Sequence, residues 1–135
     1  MARLASIVAA DQQVRSSLLP VQRAVGQGGD VVAEGRDMGT VVFPEADVKF
    51  FLTADARIRS ARRVKEYESR GVRVDRESVL DEMIQRDTRD ETREVSPLIP
   101  AQDAIIVDTG PLGVEDVQDV LERYVGERLP GISGR

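Results

Sequence analysis

Two short apolar runs, far apart in the chain and bounded by polar residues, most constrain what this sequence can fold into. Residues 47–53 hold Val48, Phe50, Phe51 and Leu52, and residues 104–107 read Ala-Ile-Ile-Val, closed by Asp108. Both are too short for a stable helix and suit strands. Helical patterns fill the space between them, over residues 54–69 and 75–93, with a Gly71 turn between the two. A further amphipathic helix follows the second run, over residues 114–124. Strands that alternate with helices are joined by crossovers, so the predicted class is α/β with a parallel sheet flanked by helices. A third short buried strand is expected over residues 31–34, ending where irregular backbone begins at Gly35.

The helix boundaries follow from local chemistry. Residues 2–26 read as helix, broken or kinked near Asp11 and again at Pro20. Asp11 is an N-cap candidate, and Val14, Leu18, Val21 and Val25 follow a helical spacing. Residues 26–30, Gly-Gln-Gly-Gly-Asp, form a turn, Pro97 and Pro100 stop the helix over 75–93, and residues 126–135 are expected to fray.

Composition narrows the chemistry. At 135 residues the chain is one domain by size, and 41% hydrophobic with 32% charged residues fits a folded globular protein. No apolar run approaches the ~20 residues of a membrane span and no signal-peptide pattern opens the chain, so the expected location is the cytoplasm. There are no cysteines and no histidines, which excludes disulfides, thiolate metal sites and the commonest catalytic base. Chemistry therefore falls to carboxylates, arginines, hydroxyls and backbone, and no protein-held metal is expected. A net charge of −5 argues against a nucleic-acid backbone as the main partner. Lys49 and Lys65 are the only lysines beside 17 arginines, whose planar forks suit phosphate and carboxylate, although coding bias explains the ratio equally well.

The positions of the arginines say more. Residues 85–94 contain three arginines, four acids and no apolar side chain. Read as a solvated helix surface, the segment is poorly built. Arg86–Asp90 is an attractive pair four apart, whereas Asp87–Glu91, Arg89–Arg93 and Asp90–Glu94 are repulsive. Projected around the helix, Arg86, Arg89, Asp90 and Arg93 fall at i, i+3, i+4 and i+7 and share one face. Three guanidiniums around one carboxylate make a site for an anion. A second cluster, Arg59, Arg62 and Arg63, lies in the preceding helix, where Arg62–Glu66 offers an ordinary surface pair.

The run Gly35-Arg36-Asp37-Met38-Gly39-Thr40 follows the expected strand over 31–34. The carboxyl ends of strands are where ligands bind in parallel α/β sheets. Arg36 could take a phosphate, and Asp37 could accept from an exocyclic amine as carboxylates do from cytosine N4. An Asp-capped turn with an Arg partner accounts for the spacing equally well.

Taken together, these segments resemble one family. Ala5-Ser6-Ile7-Val8-Ala9-Ala10, Val14-Arg15, Gly35 to Thr40, Arg86-Asp87-Thr88-Arg89-Asp90, Arg93, Pro97-Leu98 and Asp103-Ala104 match bacterial cytidylate kinase in order and spacing, over roughly residues 4–125. The resemblance implies a nucleoside monophosphate kinase fold and transfer of the γ-phosphoryl of ATP, with Mg2+, to CMP or dCMP. It also implies roles. Ser6, Arg15 and Asp37 would recognise the cytosine ring, and Arg36 and Arg93 would hold the α-phosphate, with Arg86 and Asp90 near the sugar. Arg86 and Arg93 would be the catalytic pair. Residues 54–94 would form a helical lid whose Arg59, Arg62 and Arg63 close over the phosphoryl group, with residues 1–53 and 95–125 as the core. Such chemistry relies on positioning and charge neutralisation, so the absence of histidine is no obstacle.

One departure from the family pattern is large. No Gly-x-x-x-x-Gly-Lys-[Ser/Thr] occurs, and neither Lys49 nor Lys65 follows a glycine. That loop supplies the N–H groups that cradle the β- and γ-phosphates and the hydroxyl for Mg2+. The expected fold is thus an incomplete P-loop kinase fold, also lacking the family's central first strand. Unpaired ladder groups cost about 1–3 kcal/mol each when buried. The chain is expected to rearrange its sheet, to self-associate, or to be completed by another segment, and to be inactive alone. A non-catalytic CMP-binding module and an oligomerising remnant are the alternatives.

Overall fold

The computed structural model describes residues 11–131. They divide into two compact units, one of residues up to 46 with 89–102, the other of residues 47–88 with those from 103 onward.

The first unit opens with helix α1, Gln12–Gly26. Asp11 begins it as the sequence predicts, its carboxylate accepting from Gln13 N at 2.9 Å and Val14 N at 3.0 Å. Pro20 lies inside the helix without ending it. The apolar stripe of α1 is not a core stripe, since Leu18, Val21 and Val25 are 49%, 64% and 63% exposed. Residues 31–34 form no strand, and Val32 is fully exposed. A strand exists only by exchanging ladder bonds with a neighbour, and none of the described residues pairs with this segment. After it comes a single π-helical turn, Met38–Val42, whose Val42 is the buried apolar residue of this unit among the described residues.

The second unit holds the sheet. Strand β1, Phe50–Thr53, pairs in parallel with β2, Ile105–Asp108, in the register Phe50↔Ile105 to Thr53↔Asp108. The expected α/β class with a parallel sheet is what the structure contains, in a two-stranded form. Two strands alone are marginal in water, so side chains must hold them. At one end Lys49 Nζ meets Asp103 Oδ2 at 2.7 Å, and at the other Thr109 N donates to Thr53 O at 2.7 Å. Val107 is buried, yet Leu52 and Ile106 remain 51% and 63% exposed.

Helix α2, Ala56–Ser69, starts at Asp55, whose carboxylate accepts from Arg57 N at 2.7 Å. Helix α3, Arg76–Thr92, follows Asp75, which accepts from Ser78 N at 2.9 Å. Between them Gly71 takes φ 74°, a left-handed conformation that glycine adopts without strain. Helix α3 begins in the second unit and ends in the first. Helix α4, Val114–Arg128, runs four residues beyond Tyr124, whose ring packs edge-on to Phe50 at 6.3 Å. Val64 and Val79 join Val107 as the buried apolar side chains of this unit.

Candidate functional site

Six polar residues converge in the first unit: Arg15, Arg36, Asp37, Asp90, Arg93 and Ser96. Arg15 sits in the first turns of α1, fixed by the Asp11 cap through its own N–H, which donates to Asp11 O at 3.0 Å. Its guanidinium forms an ion pair with Asp37 through Nη2 and Oδ2. Arg15 keeps 18% of its side-chain exposure and Asp37 only 6%, so the pair is largely removed from water. A second pair joins Arg36 Nη2 to Asp90 Oδ2 at 3.3 Å, again with the carboxylate buried.

The main chain explains why adjacent residues reach two different partners. Asp37 precedes the π-helical turn, and its carbonyl accepts from Val41 N at 2.9 Å and Val42 N at 3.2 Å. Arg23 of α1 fastens the far side of the same turn, donating from Nε to Val42 O at 3.1 Å and from Nη2 to Val41 O at 2.7 Å. Gly35 allows close packing just before the turn, because a Cβ there would lie 2.7 Å from Met38 Cε. Wide helical turns of this kind recur at functional sites, where they re-aim side chains.

Helix α3 supplies the opposite wall. Asp90 is 4% exposed, and its carbonyl accepts from Leu98 N at 2.7 Å, which folds the following chain back onto the helix end. Within that fold Ser96 adopts φ 52°. Its carbonyl accepts from Arg93 Nε, and its hydroxyl accepts from Arg15 Nε at 3.1 Å. Arg93 Nη2 is buried and makes no hydrogen bond among the described residues.

Three guanidiniums and two carboxylates leave the cluster one positive charge in excess. Burial first, and the charge of Arg93 second, push the Arg15 guanidinium below its ordinary value. It stays protonated at any physiological pH all the same. A cluster of fixed cations with an excess charge and an unsatisfied N–H is complementary to a phosphate, and the buried Asp37 carboxylate is an acceptor for an amine.

The structure thus brings together Arg15, Arg36, Asp37, Asp90 and Arg93 from the sequence-derived set. Ser6 lies outside the described residues. Arg86 is half-buried on α3, one turn before Asp90, and belongs to the second unit. The three arginines of α2 singled out from sequence, Arg59, Arg62 and Arg63, lie in the second unit too, each with a partner there. Arg59 makes a two-pronged pair with Asp87, at 3.1 and 2.6 Å, and donates to Ala54 O at 2.9 Å. Arg62 donates to Thr109 Oγ1 at 3.1 Å and to Leu112 O at 3.2 Å, not to Glu66, which pairs with Arg70 at 2.8 Å. Arg63 lies 5.5 Å over the Tyr67 ring. The cleft lined by Ser60, Val64, Leu80, Lys65 and Arg76 contains none of the site residues expected from sequence.

Sequence reasoning missed Arg23 and Ser96. No pattern marks Arg23, because its acceptors are main-chain carbonyls. Ser96 carried one signal, its place before Pro97. A residue before proline is restricted in backbone conformation, and the structure puts this one in the left-handed region.

A profile described as "Cytidylate kinase" matches residues 1–127. Proteins named cytidylate kinase are 44% identical in Shewanella sediminis over 96% of this chain, and 48% identical in a Geobacter species over 93%. One from Thermotoga petrophila is 46% identical over 93%. The aligned stretches make up 56%, 54% and 57% of those relatives, so the chain spans about half the length of the curated proteins it matches. With the profile covering nearly the whole sequence, the chain belongs to the cytidylate kinase family.

Proposed function

We propose that this chain carries the nucleoside monophosphate site of a cytidylate kinase, binding CMP or dCMP for phosphorylation by ATP in the cytoplasm. The observation that carries the reading is the cluster in the first unit. Arg15–Asp37 and Arg36–Asp90 are ion pairs with buried carboxylates beside Arg93, whose Nη2 makes no hydrogen bond among the described residues.

Each member has a task that its position supports. The Asp37 carboxylate accepts from the cytosine N4 amine and repels the O4 of uracil, with Arg15 holding it in place. Arg36 and Arg93 take the α-phosphate as charge-assisted donors. Asp90 orients Arg36 and, with Arg86, lies near the sugar. Ser6 completes the base contacts. Arg59, Arg62 and Arg63 belong to the lid segment. Such a site contributes by alignment and by neutralising charge on the acceptor phosphate, not by proton abstraction.

The ATP half is a different matter. When bound, Mg2+ neutralises charge on the transferring phosphoryl group. Among the described residues no three carboxylates converge on a metal position, and the sequence has no Gly-x-x-x-x-Gly-Lys-[Ser/Thr]. The residues of this chain do not fit an ATP–Mg2+ site, so phosphoryl transfer requires a complementing segment or a further chain. The exposed Leu18, Val21 and Val25 stripe of α1 and the uncovered Leu52 and Ile106 of the sheet support that requirement.

Paired substitutions test the division of roles. Arg93→Ala should weaken CMP and UMP alike, by about tenfold or more for a charged hydrogen bond lost. Asp37→Asn should instead erode the preference for CMP over UMP, because an amide can donate to O4. Equal effects of both changes on both nucleotides would refute the assignment.

A further inference from the structure

We infer that Ser96 is a positioning residue for nucleotide recognition, clamping Arg15 through its hydroxyl and Arg93 through its carbonyl. The inference rests on the monophosphate-site reading above and deepens it.

The argument starts from the backbone. Ser96 is the one non-glycine residue at positive φ among the described residues, at 52°. Serine does not favour the left-handed region, and the following Pro97 restricts its backbone further. Residues stay in such conformations only where the surroundings over-determine them, and they cluster at functional sites. Here the surroundings are two arginines. Arg15 Nε donates to Ser96 Oγ at 3.1 Å and Arg93 Nε donates to Ser96 O, so one residue addresses both the base-reading and the phosphate-holding side.

Ordinary backbone would not give this arrangement. The carbonyl and the hydroxyl of one residue must point at two cations of like charge, and burial first, with the charge of Arg93 second, pushes Arg15 below its ordinary value. In each arginine it is Nε that is tied to Ser96, which leaves the terminal nitrogens for other partners. Arg15 thereby presents Nη2 to Asp37, and Arg93 keeps Nη2 unused. A guanidinium offers its donors as a rigid fork, so fixing Nε fixes the direction of the rest. The hydroxyl hydrogen of Ser96 is left over after Oγ accepts from Arg15, giving the site one more donor.

Two variants of the full chain separate positioning from mere support. Ser96→Ala removes the hydroxyl and keeps the strained conformation. Ser96→Gly removes the hydroxyl and relieves the strain, so it should fold at least as stably as the unaltered protein. If Ser96 positions Arg15, both variants lose CMP affinity by roughly tenfold. Binding of ribose 5-phosphate, which lacks the base, should change less than about twofold, because the carbonyl tie to Arg93 persists. A merely structural role predicts instead that Ser96→Gly binds CMP like the unaltered chain.

A readout without ligand keeps the two readings apart. By 15N NMR of the free chain, Ser96→Ala should speed exchange of the Arg15 Nε–H about tenfold while leaving the Arg93 Nε–H unchanged. No change at Arg15 overturns the role of Ser96, whatever binds. Failure of the unaltered chain to bind CMP overturns the reading of the site, and with it the recognition role of Ser96. CMP binding that neither variant alters overturns the role of Ser96 alone.

Discussion

Removing the carboxylate of Asp37 should destabilise the chain far more than an exposed Asp→Ala change does. Its side chain is 6% exposed and faces Arg15, which keeps 18%. Breaking a buried ion pair by deleting one partner costs about 3–5 kcal/mol, because the other charge is left without compensation. Arg15 is not wholly enclosed, and water can reach part of it. Arg93 works the other way, since its charge already disfavours the Arg15 cation. Weighing residual solvation against that repulsion, about 2–3 kcal/mol is expected for Asp37→Ala. With a urea dependence of about 1.5 kcal/mol per molar, the midpoint falls by roughly 1.3–2 M.

The assay is urea unfolding followed by circular dichroism at one fixed chain concentration, so that any association cancels in the comparison. The diagnostic variant is the double change Asp37→Ala with Arg15→Met. It removes both charges and retains apolar volume, so it should recover more than half of the loss. A single variant within about 0.5 kcal/mol of the unaltered chain would refute the reasoning, that being the range of ordinary surface changes. A double variant no more stable than the single one would refute it equally.

Other consequences are smaller but as definite. Arg23→Ala removes two side-chain bonds to the carbonyls of Val41 and Val42 and should loosen the π-helical turn, weakening CMP binding about three- to tenfold by titration calorimetry. The Asp103 carboxyl is held below the usual carboxylate range, first by its bond to Lys49. A lowered folded-state value means stability that is present above the unfolded value near 4 and lost as pH falls through the folded one. Lys49→Met should therefore flatten the acid limb of the stability–pH curve below about pH 4 and leave its shape near neutrality unchanged, as thermal melts across pH would show. Arg62→Ala deletes the tie from α2 to Thr109 and Leu112 and should lower the melting temperature measurably, whereas Arg57→Ala, on an exposed position of the same helix, should not.

What could be read in the sequence was what local chemistry decides. Asp11 was legible as a helix start because its carboxylate serves the N–H groups two and three residues on, and the structure shows Asp55 and Asp75 acting in the same way. The runs ending in Leu52 and Val107 were legible as strands because both are continuous, short and bounded. The grouping of Asp90 with Arg93 was legible because helical spacing puts them on one face. The misreadings are of the opposite kind. Residues 31–34 have a strand's composition, but a strand is a relation to a neighbour, and no described residue stands beside them. One pair four apart misled as well, since Arg62 meets Thr109, a partner distant in sequence, while Glu66 pairs with Arg70. The left-handed backbone of Ser96 has no propensity signal, since the two arginines that hold it come from opposite ends of the first unit's sequence.

The most direct test of the central claim is calorimetric titration of the purified chain, first with CMP and then with ATP and Mg2+. The account predicts that CMP binds and that ATP does not, because the cluster around Arg15, Asp37 and Arg93 is present and the residues for the triphosphate are not. Binding of neither nucleotide would contradict the claim that this chain holds a monophosphate site. Binding of ATP would contradict the reading that the residues of this chain do not fit a triphosphate site.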